Sequence, residues 1–195
     1  MFECSRYGRE SNRSYMIIMR TKALLSFLVL CFFAFFGTTG ANAEQTSFTD
    51  ANIKAVYILK IIDFVKWEEG RIVNEVCVVG DDLVGSSLAQ IQRASKDYKD
   101  LTIERKTGDS NLSNCDVVFV SDSAESSLGK ILYSLRGLPV LTVGDVRNFA
   151  ERGGMVGFTS SKKKIKLEVN AKVAEEAGVK ISSKLLGIAQ KVITQ

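Results

Sequence analysis

The sequence contains no histidine. Histidine is the commonest general base and the commonest metal-ligating side chain in proteins. Its absence excludes a Ser-His-Asp triad and a Cys-His catalytic pair. No other activated nucleophile and no cofactor motif is recognisable, so we predict no catalytic residue, no resident metal and no cofactor. The composition therefore favours a binding protein over an enzyme.

An excess of positive charge is also missing from most of the chain. The whole sequence carries 26 basic and 22 acidic residues, of which residues 1–43 hold five basic and two acidic ones. The remaining 21 basic and 20 acidic residues nearly cancel. Domains that bind nucleic acid concentrate positive charge, so nucleic acid is not an expected partner.

The one glycine-rich loop lacks the residues that bind phosphate. Gly80-Asp-Asp-Leu-Val-Gly85 lies between an apolar strand pattern and a helical pattern. It has neither the Lys and Ser/Thr of a P-loop nor the spacing of the dinucleotide fingerprint. An ordinary strand-to-helix turn is the better interpretation.

The N-terminal sequence predicts an export signal. Arg20-Thr-Lys22 precedes an apolar run from Ala23 to Phe36, which is followed by small residues ending in Ala41-Asn-Ala43. A basic segment, an apolar segment and an Ala-x-Ala site are what a signal peptidase recognises, whereas a membrane-spanning helix needs about 20 apolar residues. We predict cleavage after Ala43, with residues 1–43 removed and residues 44–195 forming one periplasmic domain. Translation could start at Met1, Met16 or Met19.

Two cysteines, Cys77 and Cys115, remain after this cleavage. Cys77 lies within the first predicted strand and Cys115 opens the third. In a doubly wound sheet with strand order 2-1-3 these strands are neighbours about 4.8 Å apart, within bonding range. An oxidising compartment allows the two thiols to join, so we predict a Cys77–Cys115 disulfide.

Apolar strand patterns alternate with helical ones along the domain. The first helix is predicted from Ala51 to Trp67, capped by Thr49 or Asp50, with a buried apolar stripe. The further strands are predicted at residues 75–80, 102–106 (a polar edge strand), 116–120, 139–143 and 155–158, and the further helices at residues 84–95, 126–135, 146–151 and from Ser182 or Ser183 to Val192. Residues 163–169 alternate like a half-exposed strand after a short turn, which favours a hairpin. The fold class is α/β: a three-layer, doubly wound, mostly parallel sheet with a C-terminal antiparallel hairpin strand and flanking helices.

Acidic residues follow several predicted strands. Asp81 and Asp82 come after the first strand, Asp122 follows the third, and Thr142 lies near the end of the fourth. The carboxyl ends of parallel strands converge, so these residues could form one crevice, similar to the acidic pocket of a receiver domain. Such oxygen ligands could hold Mg²⁺ or Ca²⁺, although loop aspartates more often cap helices. The alternative function is therefore a periplasmic sensor of a small ligand or metal.

Short motifs in a fixed order give a family resemblance that covers essentially all of residues 48–192. They are Lys54-Ala-Val-Tyr57, Phe64-Val-Lys-Trp67, Val76-Cys-Val-Val-Gly80, Asn114-Cys-Asp-Val-Val-Phe-Val120, Pro139-Val-Leu-Thr-Val143, Asp145 to Phe149, Gly153-Gly-Met155, Leu167-Glu-Val-Asn170 and Ile181-Ser-Ser-Lys-Leu-Leu186. Together these motifs resemble the YfiR family of periplasmic proteins from Gram-negative bacteria. The second, C-terminal cysteine pair of the type member has no counterpart here.

The resemblance implies a regulator without enzymatic activity. It implies a protein that represses a membrane-bound diguanylate cyclase, which makes cyclic di-GMP and promotes biofilm, by binding the periplasmic domain of that cyclase. It also implies an outer-membrane lipoprotein as antagonist, and it leaves a homodimer open. We predict the contact surface in the C-terminal segment, at Ile181, Lys184 and Leu185, beside the basic turn Lys162, Lys163 and Lys164, because charge beside apolar residues is typical of interfaces.

Overall fold

The computed structural model describes residues 41–66, 72–81, 83–161 and 164–195, with side chains described from Asp50 onward except that of Ser161. The chain divides into two compact units, residues 1–44 and residues 45–195, and the second unit is described below. The predicted signal segment lies outside the described residues up to position 40. The predicted cleavage after Ala43 stays a prediction.

Seven of the described strands form one twisted sheet, mostly parallel. The strands are β1 (Val65–Lys66), β2 (Glu75–Val79), β3 (Thr102–Lys106), β4 (Val117–Val120), β5 (Leu141–Gly144), β6 (Val156–Ser161), β7 (Lys164–Asn170), β8 (Lys180–Ile181) and β9 (Lys191–Ile193). The order in the large sheet is β3-β2-β4-β5-β6-β7-β9, and β1 pairs with β8 separately. The neighbours pair parallel except for the β6–β7 hairpin, which is antiparallel.

Helices cover both faces of this sheet. They are α1 (Ala41–Asp63), α2 (Leu83–Ala94), a 3₁₀ helix (Asp122–Ser127), α3 (Leu128–Ser134), α4 (Ala171–Glu176) and α5 (Ser183–Ile188). Alternate residues of the central strands enter two separate cores. Val76, Val78 and Phe119 pack on one side with α1, and Cys77, Val79 and Val118 pack on the other side with α3. The predicted fold class, the edge position of β3 and the hairpin are confirmed.

The boundaries of α1 differ from the prediction. The helix begins at Ala41, so Thr49 and Asp50 lie inside it and do not cap it. The upstream residues Ala43, Glu44 and Gln45 are good helix formers, which lets the helix continue in that direction. The helix ends at Asp63, and Trp67 lies outside the described residues. The predicted core stripe is confirmed, since Ala51, Ala55 and Ile58 are buried.

Two other predicted helices are wrong in whole or in part. Residues 146–151 form turns, in which Asn148 has the left-handed φ of 57°. The last helix ends at Ile188, because Ala189 is extended and the chain then enters β9 beside β7. Val192, predicted on a helical face, therefore lies in a strand that pairs with Val169.

Candidate binding surface

The carboxyl ends of β2 and β4 meet at one edge of the sheet, as parallel neighbours require. The backbone N–H of Asp81 donates a hydrogen bond to Ser123 Oγ at 2.7 Å. A Cβ atom at Gly80, whose φ is 101°, would lie 2.6 Å from the same hydroxyl. Ser123 therefore fills the space between the two strand ends and leaves the Asp81 side chain exposed to solvent.

The structure does not bring the remaining predicted crevice residues together. Asp122 lines a polar pocket of about 420 Å³ with Asp145 and Arg147, whereas Thr142 lines a different cavity. The prediction placed Thr142 at a strand end, but β5 continues to Gly144 and Thr142 is its second residue. Its Oγ1 accepts a hydrogen bond from Met155 N–H at 3.0 Å. Asp82 lies outside the described residues.

An ion pair that the sequence did not reveal holds α1 against the end of β5. Lys54 Nζ lies 2.5 Å from Asp145 Oδ2, and the two side chains are 23% and 10% exposed. Asp145 Oδ1 accepts a hydrogen bond from the Asp122 backbone N–H at 2.7 Å. One carboxylate thus joins a helix, the start of the 3₁₀ helix and the turn after β5. The two charged residues are 91 positions apart, so no local pattern could predict this pair.

The turn that links β5 to β6, residues 145–155, is held by a buried aromatic ring and by a buried side-chain amide. Phe149 is 1% exposed and belongs to the core beneath α3. The Asn170 side-chain amide donates to the Ala150 carbonyl at 2.9 Å, and its oxygen accepts from Val173 N–H at the start of α4. Several of the motifs that carry the family resemblance therefore meet at this turn.

The predicted disulfide is confirmed. Cys77 and Cys115 are bonded, with their Cα atoms 5.9 Å apart. Both cysteines are buried, and Glu75 Oε1 lies 3.2 Å from Cys77 Sγ. Glu75 and the two sulfurs are close enough together to resemble a metal-ligand group, but the sulfurs are bonded to each other and offer no thiolate.

The predicted contact residues of the C-terminal segment have different surroundings. Lys184 is exposed, but Leu185 is 1% exposed and belongs to the core, so it offers little surface to a partner. Ile181 is half-buried in β8, opposite Val65 of β1. Lys164 is exposed at the start of β7, and Lys162 and Lys163 lie outside the described residues.

An apolar groove lies beside this segment, between α1 and α5. Its volume is about 440 Å³, and we call it the α1–α5 groove. Its most exposed apolar side chains are Ile53, Val56 and Ile188, which are 40%, 48% and 61% exposed. Leu167 and Leu185 lie in its lining as buried residues. Sequence periodicity indicated that Val56 lies outside the buried stripe of α1. It could not indicate that α5 lies next to Val56, because that depends on the tertiary fold.

Lys60 lies at the edge of the α1–α5 groove. Its ammonium lies 3.1 Å from Asp63 Oδ2 and 3.3 Å from the Tyr98 hydroxyl. The hydrogen bond to Asp63, followed by that to Tyr98, raises the pKa of Lys60 above its ordinary value. Lys60 therefore stays protonated at physiological pH, fixed in place by its neighbours.

In the described ranges, no helix is both long enough and apolar enough to cross a bilayer. The fold is that of a doubly wound α/β domain. A sequence model described as YfiR/HmsC-like matches residues 51–190, which is most of the α/β domain. The chain therefore belongs to the YfiR/HmsC-like family.

Two solved structures share the fold at low sequence identity. One is a conserved domain protein from Vibrio cholerae O1 biovar El Tor, with a TM-score of 0.52 and 15% identity. The other is an ABC domain in complex with L-Trp from Streptococcus pneumoniae, with the same TM-score and identity. In both cases the match covers 73% of this chain but only 60% of the other. At this identity the likeness concerns the fold alone.

Proposed function

We propose that the protein is a periplasmic regulator that represses an inner-membrane diguanylate cyclase by binding its periplasmic domain. The observation that carries this proposal is the family match over residues 51–190. The buried Cys77–Cys115 disulfide supports it, because such bonds persist in oxidising compartments such as the periplasm. An outer-membrane lipoprotein that sequesters the regulator is the corresponding antagonist. A regulator of this kind acts by binding one state of its partner more tightly than another.

Export can be tested directly on the native protein. Cleavage after Ala43 predicts a periplasmic protein whose first residue is Glu44. Intact-mass measurement of the protein from the periplasmic fraction checks both statements. A mass that includes the apolar run from Ala23 to Phe36 would contradict cleavage.

We assign the α1–α5 groove as the contact surface for an apolar segment of the cyclase. Val56 and Ile188 present apolar surface to solvent around a concave floor. Covering such surface contributes about 25 cal/mol per Å², and interfaces are typically apolar at the centre with a polar rim. Lys60, which is ion-paired with Asp63, forms part of the polar rim of this groove. Of the sequence-predicted contact residues, Leu185 lies in the lining of this groove, and the groove adds the exposed Ile188.

Deleting the gene should raise cellular cyclic di-GMP and increase attachment. The full-length chain should restore the wild-type level. Residues 44–195 expressed without the signal should not, because they would remain in the reducing cytoplasm on the wrong side of the membrane. Measurement of cyclic di-GMP in the three strains tests the function. An unchanged level in the deletion strain, with every periplasmic-sensing cyclase of the host present, would refute repression.

The groove assignment has a matched pair of variants. Val56→Glu places a charge in the α1–α5 groove, while Leu83→Glu places one at the start of α2, and both positions are 48% exposed. We expect the Val56→Glu protein to reach normal periplasmic levels but not to restore repression, and the Leu83→Glu protein to behave like wild type. Full repression by Val56→Glu would place the contact surface elsewhere without affecting the proposed function.

A further inference from the structure

The Cys77–Cys115 disulfide has a carboxylate beside it. Glu75 Oε1 lies 3.2 Å from Cys77 Sγ and 3.9 Å from Cys115 Sγ. A disulfide sulfur carries no proton, so neither sulfur donates a hydrogen bond to this oxygen. Among the residues that the structure describes, these three form the one group of His, Cys, Asp and Glu whose ligand atoms all lie within 4.8 Å of one another. Any bond between this carboxylate and the sulfurs, direct or through a metal ion, therefore belongs to the reduced protein.

The spacing of the carboxylate oxygen and the sulfurs matches a tetrahedral zinc site. Zinc–thiolate bonds of about 2.3 Å and zinc–carboxylate bonds of about 2.0–2.2 Å place the oxygen about 3.6 Å from each sulfur. The observed distances of 3.2 and 3.9 Å bracket that value. The same geometry requires the two sulfurs to lie about 3.8 Å apart, so the S–S bond has to be broken first. The Cα atoms are 5.9 Å apart, which is far enough for side-chain rotation to give that spacing.

Hydrogen bonds hold the ligand segments together independently of the disulfide. The Glu75 N–H donates to Asp116 Oδ2 at 3.0 Å, and the Asp116 N–H donates to the Glu75 carbonyl at 3.0 Å. Asp116 directly follows Cys115, so these bonds keep the start of β2 beside the second cysteine when the S–S bond is absent. Ligands that are already in place lose less conformational freedom on binding, which favours affinity.

Glu75 also provides the route from solvent to the sulfurs. Its side chain is 26% exposed, whereas the two cysteines are 0% and 1% exposed. An ion therefore enters past the carboxylate, and a water molecule from that side completes four ligands. Lys106 Nζ lies 3.9 Å from Glu75 Oε1 but 2.5 Å from Glu104 Oε2. The ammonium is thus bonded to Glu104 and leaves the Glu75 oxygen available to a metal ion.

We propose that the reduced protein binds one Zn²⁺ ion through Cys77, Cys115 and Glu75. Before oxidation the chain carries both thiols; afterwards a dithiol regenerates them by transferring two electrons and two protons, and itself becomes a disulfide. Zn²⁺ then displaces the two thiol protons and forms two zinc–sulfur bonds and one zinc–oxygen bond. Thiolate ligands select Zn²⁺ over Mg²⁺ and Ca²⁺, which prefer oxygen. The site is separate from the α1–α5 groove and does not depend on the proposed function.

Titration of the purified protein with Co²⁺, a spectroscopic substitute for Zn²⁺, tests the site. In a phosphine reductant we expect one equivalent of Co²⁺ to give a thiolate-to-metal charge-transfer band, which Zn²⁺ abolishes by displacing the cobalt. The oxidised protein should give no such band. Glu75→Gln should weaken Zn²⁺ binding at least about tenfold, since loss of even an outer-shell partner weakens metal binding about 10- to 100-fold. Glu168→Gln, which neutralises a half-buried glutamate of β7, should leave Zn²⁺ binding unchanged.

Unfolding midpoints separate this site from metal binding by the thiols of an unfolded chain. Zn²⁺ should raise the midpoint of the reduced wild-type protein, but not that of the oxidised protein or of the Cys77→Ala, Cys115→Ala protein. Two thiols of an unfolded chain would bind Zn²⁺ without Glu75 and would not raise the midpoint. Absence of the charge-transfer band in the reduced protein, an equal band in the oxidised protein, a midpoint that Zn²⁺ does not raise, or Zn²⁺ binding unaffected by Glu75→Gln would each overturn the proposal.

Discussion

Replacing Gly154 with alanine is expected to lower the free energy of unfolding by about 3 kcal/mol, the upper part of the range for overpacking a core. A Cβ atom at this position would lie 2.0 Å from Phe149 Cε1. The ring has no room to retreat, because a Cβ atom at Gly144 would lie 2.4 Å from Phe149 Cε2. The ring of Phe149 is thus held between two glycine backbones.

Urea denaturation of residues 44–195 provides the measurement for this variant. Gly129→Ala is the control, since its added methyl meets no atom and should leave stability equal or slightly higher. In a protein that already carries Phe149→Leu, the Gly154→Ala change should lower the free energy of unfolding by less, because the smaller leucine side chain can move aside. A loss below about 0.5 kcal/mol, within the range of an ordinary surface substitution, would show that the ring is not confined.

Removing the disulfide is the second change with a large expected effect. In the Cys77→Ala, Cys115→Ala protein we expect the free energy of unfolding to fall by about 2–4 kcal/mol. The bond joins residues 38 positions apart, and closing a loop of that length restricts the unfolded chain by about 4 kcal/mol in the entropic description. The two sulfurs are also buried, so their removal leaves a small void.

Reducing agent gives an internal control for this experiment. The unfolding midpoint of the wild-type protein should fall when dithiothreitol is added, whereas that of the double-alanine protein should not change. Thiol titration of the unfolded, unreduced mature protein should find no free thiol. A wild-type midpoint insensitive to reduction would contradict the assigned role of the bond.

Much of the fold could be predicted because the central strands are short apolar runs. Val76–Val79 and Val117–Val120 are buried on both faces, which favours a parallel sheet between two helical layers. The predicted neighbourhood of these two strands places Cys77, opposite Val118, within reach of Cys115 just before β4. Local sequence periodicity gave the wrong secondary structure where pairing between segments distant in the chain determines it. Leu185 and Val192 have helical spacing, yet β9 forms because β7 offers an open edge.

The functional surfaces were harder to predict, since each depends on side chains that are far apart in sequence. Thr142 was identified as a site residue, but its position depends on where β5 ends. Val56 and Ile188 have no sequence relation that would place them in one groove. The rule that the carboxyl ends of parallel strands converge describes the backbone. It does not determine which side chains line the same cavity.

The ion pair between Lys54 and Asp145 has a kinetic consequence. This contact joins the turn after β5 to a helix 91 residues earlier in the chain, so it forms only once that helix has packed beside the end of β5. Folds dominated by such non-local pairings, and by parallel strands, fold slowly compared with helical bundles. If the proposed export uses a pore that admits only unfolded chains, slow folding prolongs the time in which the chain can still be threaded. Under that proposal, the same remote contacts that order the folded domain would also delay its compaction before export.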